Sequence, residues 1–314
     1  MDVLIVGAGA VGQVYGACLA QAGDRVSVLV KAKHDAAARA GYRILERGRA
    51  RTFEPAAVLT EVSAIAETRF DEVWLAVAAT SLDPAWLDAL IAASGEATIV
   101  YLQPGGAAEE ALASRVDSAR LVAGGIGFIA YEAILSGETR EPGTVVIFPP
   151  GGTSRFDGPG ETARAIVLRL RRGGCPARVD HDARAFIALT GAVIQCLVAA
   201  LEAESWSFAK LRRGDTLALM TRAARQAVGV AAADSGVRPP LFRTLLRPAL
   251  FWVFLWLAPR FAPFALEAYL EHHFVKVRAQ TREAFAEYLA SAKERALPAD
   301  AIAELDRVVF HRES

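Results

Sequence analysis

Short apolar runs alternate with amphipathic stretches through the first part of the chain, then give way to long helical periods after about residue 180. Runs at 3–6, 26–30, 73–77, 98–102 and 121–123 carry no polar alternation to speak of, which is how strands buried on both faces read. Between them, 14–22, 34–40, 84–93 and 109–113 read as helices. Segments 42–45 and 51–53, joined across Arg47-Gly48-Arg49, predict a hairpin. Residues 126–150 are β-rich and broken by Pro142-Gly143 and Pro149-Pro150-Gly151-Gly152. A helix at 162–172 and a strand at 177–179 complete this part, and no strand candidate follows Asp182. The pattern predicts an α/β domain with a doubly wound parallel sheet over 1–179 and an all-helical domain over 180–314.

The first turn carries the chemistry. Gly7-Ala8-Gly9-Ala10-Val11-Gly12 lies between an apolar run and a helix. In such a turn Gly7 permits the tight bend, Gly9 lets backbone approach a pyrophosphate, and Gly12 lets the helix pack closely on the strand. Ala8, Ala10 and Val11 complete the loop, and the free amides of the helix N-terminus favour an anion. The context makes the domain Rossmann-like. At the end of the second run, where an NAD site usually carries Asp or Glu, stand Lys31 and Lys33, with a carboxylate only at Asp35. Cations there favour a 2′-phosphate, so the expected cofactor is NADP(H); the plainer reading is a solvated lysine loop.

Composition narrows the partners. Lys plus Arg and Asp plus Glu both number 35, so nothing in the charge balance calls for nucleic acid. Cys18, Cys175 and Cys196 are widely spaced without a paired motif, which argues against both a metal site and a disulfide framework. The chain opens directly on a strand with no signal-like segment, giving the expectation of a cytoplasmic protein. Residues 248–258 are almost wholly apolar but fall short of the 18 to 25 or so needed to span a bilayer. A core or homodimer-interface helix is expected there, ahead of an interfacial membrane contact.

The first domain resembles the ketopantoate reductase (2-dehydropantoate 2-reductase) family. The likeness runs through Gly7 to Gly12, Val28-Leu29-Val30-Lys31, the helix from His34, and Leu75-Ala76-Val77. It continues through Leu102-Gln103-Pro104-Gly105 with Glu109-Glu110, and Gly124-Gly125. The resemblance implies hydride transfer from NADPH to a 2-keto acid, with Ala78, Gln103 and Pro104 bordering the cofactor. It also implies a lysine proton donor on the first helix of the second domain, helped by asparagines. This sequence departs there: Ala188 holds the lysine position, and Ala192 and Cys196 the asparagine positions. Ala78 stands where the family has a lysine, and Pro104 where it has an asparagine.

Substitutes for the missing donor are sought at 267–282, which reads as one helix with Tyr269, His273, Lys276 and Gln280 on one face. His273 and Lys276 are the candidate proton donors, with Gln280 beside them; the competing reading is a solvated face. Lys210, Arg212 and Arg213 could anchor a substrate carboxylate but read more simply as a solvated helix end. The expected function is NADPH-dependent reduction of a keto group on a small or moderately apolar acid. The alternative is a non-catalytic NADP(H)-binding sensor or partner-binding protein.

Overall fold

The computed structural model describes residues 1–78, 81–102, 106–136, 138 and 141–311. Two compact units emerge, Met1–Ile134 with Thr139–Arg184, and Ala185–Ser314 with Leu135–Glu138. The first unit thus runs to Arg184, whose guanidinium bonds back to Glu109, Tyr101 and Asp157, rather than ending at Val179.

In the first unit, β1 (Asp2–Val6) leads to α1 (Ala10–Gln21) and β2 (Arg25–Leu29), then α2 (Asp35–Arg39). The hairpin β3 (Tyr42–Glu46) and β4 (Arg49–Phe53) follows, with β5 (Val58–Leu59), β6 (Glu72–Leu75), α3 (Pro84–Ser94) and β7 (Thr98–Tyr101). Next come α4 (Gly106–Ala113), β8 (Leu121–Gly125), β9 (Ile129–Ala133), β10 (Gly143–Ile147), β11 (Ser154–Asp157), α5 (Gly160–Arg172) and β12 (Ala177–Val179). Eight strands form one sheet in the order β12-β11-β8-β7-β6-β1-β2-β5, parallel throughout except where β11 meets β8. This is the Rossmann-like arrangement expected, with an antiparallel step added near one edge.

Strand β1 shows why its sequence is an unbroken apolar run. Val3 and Ile5 enter the core on one face, Leu4 and Val6 the core on the other. A two-residue period on a strand covered from both sides leaves no polar position. On the α1 side, Tyr15 is fully buried, its ring centroid 5.3 Å from Trp74 and 4.9 Å from Phe128. Its hydroxyl donates to Ser154 Oγ at 2.9 Å, so burial leaves the phenol satisfied. On the same face, Arg169 of α5 donates to Asp24 Oδ2 at 2.7 Å and pairs with Glu72, which also accepts from Trp74 Nε1 at 2.9 Å.

The hairpin is where expected, but it belongs to a second sheet with the order β4-β3-β10-β9. There β10 pairs antiparallel to β9 and parallel to β3, about a hundred residues earlier in the chain. Ile44, Phe53, Ala130 and Val146 of this sheet share one core with Val14 and Tyr15 of α1.

The second unit contains α6 (Ala183–Ala203, which begins in the first unit), α7 (Phe208–Arg213), α8 (Thr216–Asp234), α9 (Pro248–Phe261), α10 (Leu266–Lys276), α11 (Arg278–Glu294) and α12 (Asp300–Phe310). Leu189, Ala192, Cys196, Met220, Phe285 and Leu305 belong to its core. Among the described residues only α6 is by itself long and apolar enough to cross a membrane, and its Leu189, Ala192, Cys196, Ala199, Ala200 and Leu201 are part of this core. Two expectations need correction. The single helix over 267–282 is broken at Val277, whose φ of −112° and ψ of 21° leave the helical region. The apolar stretch 248–258 does form a helix, but it is not a core helix: only Leu255 of α9 is buried.

Candidate functional site

The glycine turn is built by close approach. Gly7 has φ of +91°, which favours glycine, and its N–H donates to Leu29 O at 3.0 Å, tying the end of β1 to that of β2. A Cβ on Gly12 would lie 2.1 Å from Gly7 O, so the first turn of α1 is pressed against the loop as only glycine allows. Gly9 differs: at the N-cap of α1, with φ of −71° and ψ of −177°, it has an ordinary extended backbone. A Cβ there meets no atom within 4 Å. Gly12 is glycine because protein is close, and Gly9 stands where protein is absent and a ligand can approach.

Gly7, Ala8 and Gly9 line a cavity of about 1050 Å³, large enough for a dinucleotide. It lies at the carboxyl ends of β1, β2 and β6, where ligands bind in such sheets. Ala10, Val11 and Gly12 form the first helical turn, and the first helical bond is from Gln13 N to Gly9 O at 2.9 Å. The amides preceding Gln13 therefore belong to the unpaired start of a helix, where the macrodipole favours an anion. Gln13 itself is buried and fixes the loop: Nε2 donates to Ala8 O at 2.8 Å, and Oε1 accepts from Thr144 of β10.

Lys31 and Lys33 both line this cavity and are exposed to solvent. Lys31 begins a short 3-10 turn in which His34 N donates to Lys31 O at 2.8 Å. Asp35, the nearest carboxylate, is occupied by Arg39, whose Nε reaches both Asp35 oxygens at 3.0 Å. The end of β2 thus presents two cations to the cavity while its nearest acid is engaged by Arg39. Ala78 lines the cavity as well, whereas Gln103 and Pro104 lie outside the described residues.

The second sheet closes the cavity with Tyr42, Arg43, Glu132, Gly143 and Thr144, and α3 contributes Trp86. Arg43 pairs with Glu141, and burial pushes the Tyr42 hydroxyl up to about 12, so it is a neutral donor at ordinary pH. None of these residues belongs to the glycine motif. Thr144 is tied to that motif through its bond to Gln13.

A network the sequence did not reveal holds the end of β7. Tyr101 donates to Glu109 at 2.5 Å, and Arg184 donates to Glu109 at 2.5 Å and to the Tyr101 oxygen at 3.0 Å. Burial, then Glu109, pushes the Tyr101 hydroxyl well up, so it stays protonated.

In the helical unit, His273 stacks on Tyr269 with centroids 5.6 Å apart. Burial, with the Lys276 and His272 charges, holds its imidazole below the usual histidine range, so it is neutral near pH 7. Lys276 ends α10, and Gln280 lies beyond the break on α11, so the three do not share one helical face. Gln280 Nε2 is buried without a hydrogen-bond partner among the described residues. Ala188 packs against the helical core, and Ala192 and Cys196 are wholly buried in it. Lys210, Arg212 and Arg213 occupy the last turn of α7, where cations complement the helix end. Among the described residues, no group of three or more His, Cys, Asp or Glu could hold a metal ion.

Comparison with known proteins places residues 3–147 in the family model for ketopantoate reductase PanE/ApbA. A PanE/ApbA family ketopantoate reductase from Ralstonia eutropha JMP134 superposes with a TM-score of 0.74 at 20% identity, covering 98% of this chain and 97% of that one. A 2-dehydropantoate 2-reductase from Geobacter metallireducens GS-15 gives 0.71 at 18% identity, covering 100% of both chains. A D-mandelate dehydrogenase solved with NADH and anilino(oxo)acetate gives 0.72 at 16% identity, covering 99% and 97%. At these identities the likeness is one of fold. No curated protein matches the chain as a sequence relative.

Proposed function

We propose that this chain, whose residues 3–147 belong to the ketopantoate reductase family, is an NADPH-dependent oxidoreductase that reduces the keto group of a small or moderately apolar keto acid. The observation carrying this reading is the open space over Gly9, at a helix N-terminus, in a cavity that also holds Lys31 and Lys33. The pyrophosphate would lie against the Gly9 backbone and the first turn of α1, and a 2′-phosphate against the two lysines. The D-mandelate dehydrogenase of similar fold was solved with NADH, and the cationic end of β2 is what favours NADPH here.

When bound, the cofactor supplies the hydride that reduces the carbonyl carbon. The chain must bind the acid, orient its keto group and deliver one proton to the developing alkoxide. Ala188 cannot donate that proton, and no lysine or histidine lies between His181 and Lys210. We assign the donation to Lys276, the last residue of α10, and a hydrogen-bonding role to His273, which burial keeps neutral. Lys276→Ala is expected to abolish turnover while leaving NADPH affinity within about twofold. Unchanged turnover would remove the assignment, and saturable NADPH binding with no turnover of any keto acid in the wild type would favour the non-catalytic reading.

The D-mandelate dehydrogenase structure contains anilino(oxo)acetate, so the substrate panel should run from ketopantoate to 2-keto acids with aryl groups.

A further inference from the structure

The helical unit carries an apolar surface that its own fold does not cover. In α9, Leu255 is buried and Phe251 and Ala258 pack against the core, a narrow stripe of one helical face. The rest of the helix turns Leu250, Trp252, Val253, Phe254 and Trp256 to solvent. The patch continues at both ends, through Leu241 at 88% exposure and Leu245 before the helix, and Phe261 at 79% as its last residue. A face this large and contiguous in a folded chain marks a contact surface.

Charge decides what the surface meets. Residues 235–266 contain no Asp or Glu and four arginines, Arg238, Arg243, Arg247 and Arg260. Arg243 is turned inward, its Nε donating to Arg225 O at 2.8 Å, while Arg238, Arg247 and Arg260 are exposed. The Arg260 guanidinium lies 4.2 Å from the Trp256 ring centroid, and that of Arg212 lies 5.5 Å from Trp252. Cation and aromatic ring thus share the same surface, the composition of a helix lying at a membrane–water boundary. A two-fold contact between copies would set this patch against itself, bringing arginine towards arginine with no acid in the segment to relieve it.

Length excludes a span by this helix. The 14 residues of α9 reach about 21 Å, against a hydrocarbon core of about 30 Å. The chain then bends by 104° into α10.

We propose that α9, with the turn before it, is an in-plane docking element that seats this protein on an anionic lipid bilayer. Trp252, Val253, Phe254 and Trp256 enter the boundary between headgroups and acyl chains, and Arg247 and Arg260 meet lipid phosphates. This inference does not rest on the reductase reading, and its test needs no substrate.

The test is co-sedimentation of the full chain with vesicles of phosphatidylcholine alone, or of phosphatidylcholine with 30% or so phosphatidylglycerol, with tryptophan emission followed in parallel. The wild type is expected to pellet with the anionic vesicles, with a blue shift in emission, and to be released by high salt. Arg247→Ser with Arg260→Ser should weaken partitioning about thirtyfold, at about fivefold per arginine. Val253→Asp with Phe254→Ser should abolish it, with an unchanged far-ultraviolet circular dichroism spectrum and thermal midpoint reporting that the helical unit remains folded. Wild-type protein staying in the supernatant, or equal binding to neutral vesicles, would overturn the proposal. So would a concentration-dependent dimer that the Val253→Asp, Phe254→Ser chain cannot form, in the absence of vesicle binding.

Discussion

Replacing Gly9 and Gly12 separately by alanine should give opposite phenotypes, although both belong to one glycine motif. At Gly12 the new Cβ would sit 2.1 Å from Gly7 O, roughly 1 Å closer than real contacts allow, so the loop or helix must move. Overpacking of this kind costs about 1–3 kcal/mol of stability. At Gly9 the new Cβ meets no protein atom within 4 Å, and φ of −71° with ψ of −177° suits any residue. Its folding cost should stay below about 1 kcal/mol, the usual penalty for alanine at an N-cap. The Gly9 methyl instead occupies the space assigned to the pyrophosphate. Losing one or two hydrogen bonds to a charged group, at about 1.5–3 kcal/mol each, would weaken NADPH binding by about 10 to 10⁴-fold. Urea unfolding of the apo protein and fluorescence titration with NADPH measure the two effects independently. Gly9→Ala chains that bind NADPH like the wild type, or that lose more stability than Gly12→Ala chains, would refute the reasoning.

Three further variants probe the same unit. Lys31→Ala with Lys33→Ala removes two exposed cations, each worth about 1–2 kcal/mol against a dianionic phosphate in a water-like dielectric. The NADPH Kd should rise about 100-fold at low salt while the NADH Kd changes less than about threefold; equal losses for both would place the lysines outside the 2′-phosphate site. Arg169→Met strands Asp24 and Glu72, whose side chains are only 5% and 3% exposed, and should cost about 3–5 kcal/mol in urea unfolding. Arg164→Met, which breaks only the exposed pair with Glu161, should cost less than about 1 kcal/mol.

The parts of the fold legible in the sequence are those whose cause is local. Val3 to Val6 reads as a strand because both faces of β1 are covered, and Gly7 and Gly12 read as a turn because the positive φ of one and the contact of the other with Gly7 O are demands met within a few residues. Lys31 and Lys33 follow β2 directly, so their place on the cavity lining also has a local cause. The second sheet was not legible, since its key pairing joins Ile44 to Thr144 and no nearby residue reports it. Tyr42, Arg43 and Thr144 reach the cavity only through that pairing, so they were missed with it. The stripe from Tyr269 to Gln280 kept helical spacing across a break that no Pro or Gly announces at Val277, so periodicity alone ran two helices into one. The apolar run in α9 reads as core or homodimer interface because burial is the usual fate of such residues, and sequence does not distinguish a stripe covered by neighbours in the same chain from one left open.

The most direct test of the central claim is cofactor consumption by the purified chain, followed at the reduced nicotinamide absorbance, with ketopantoate and a series of bulkier 2-keto acids. The account predicts saturable oxidation of NADPH with at least one of them, and a kcat/KM at least tenfold higher with NADPH than with NADH. Tight, saturable NADPH binding with no oxidation across the whole series would contradict it.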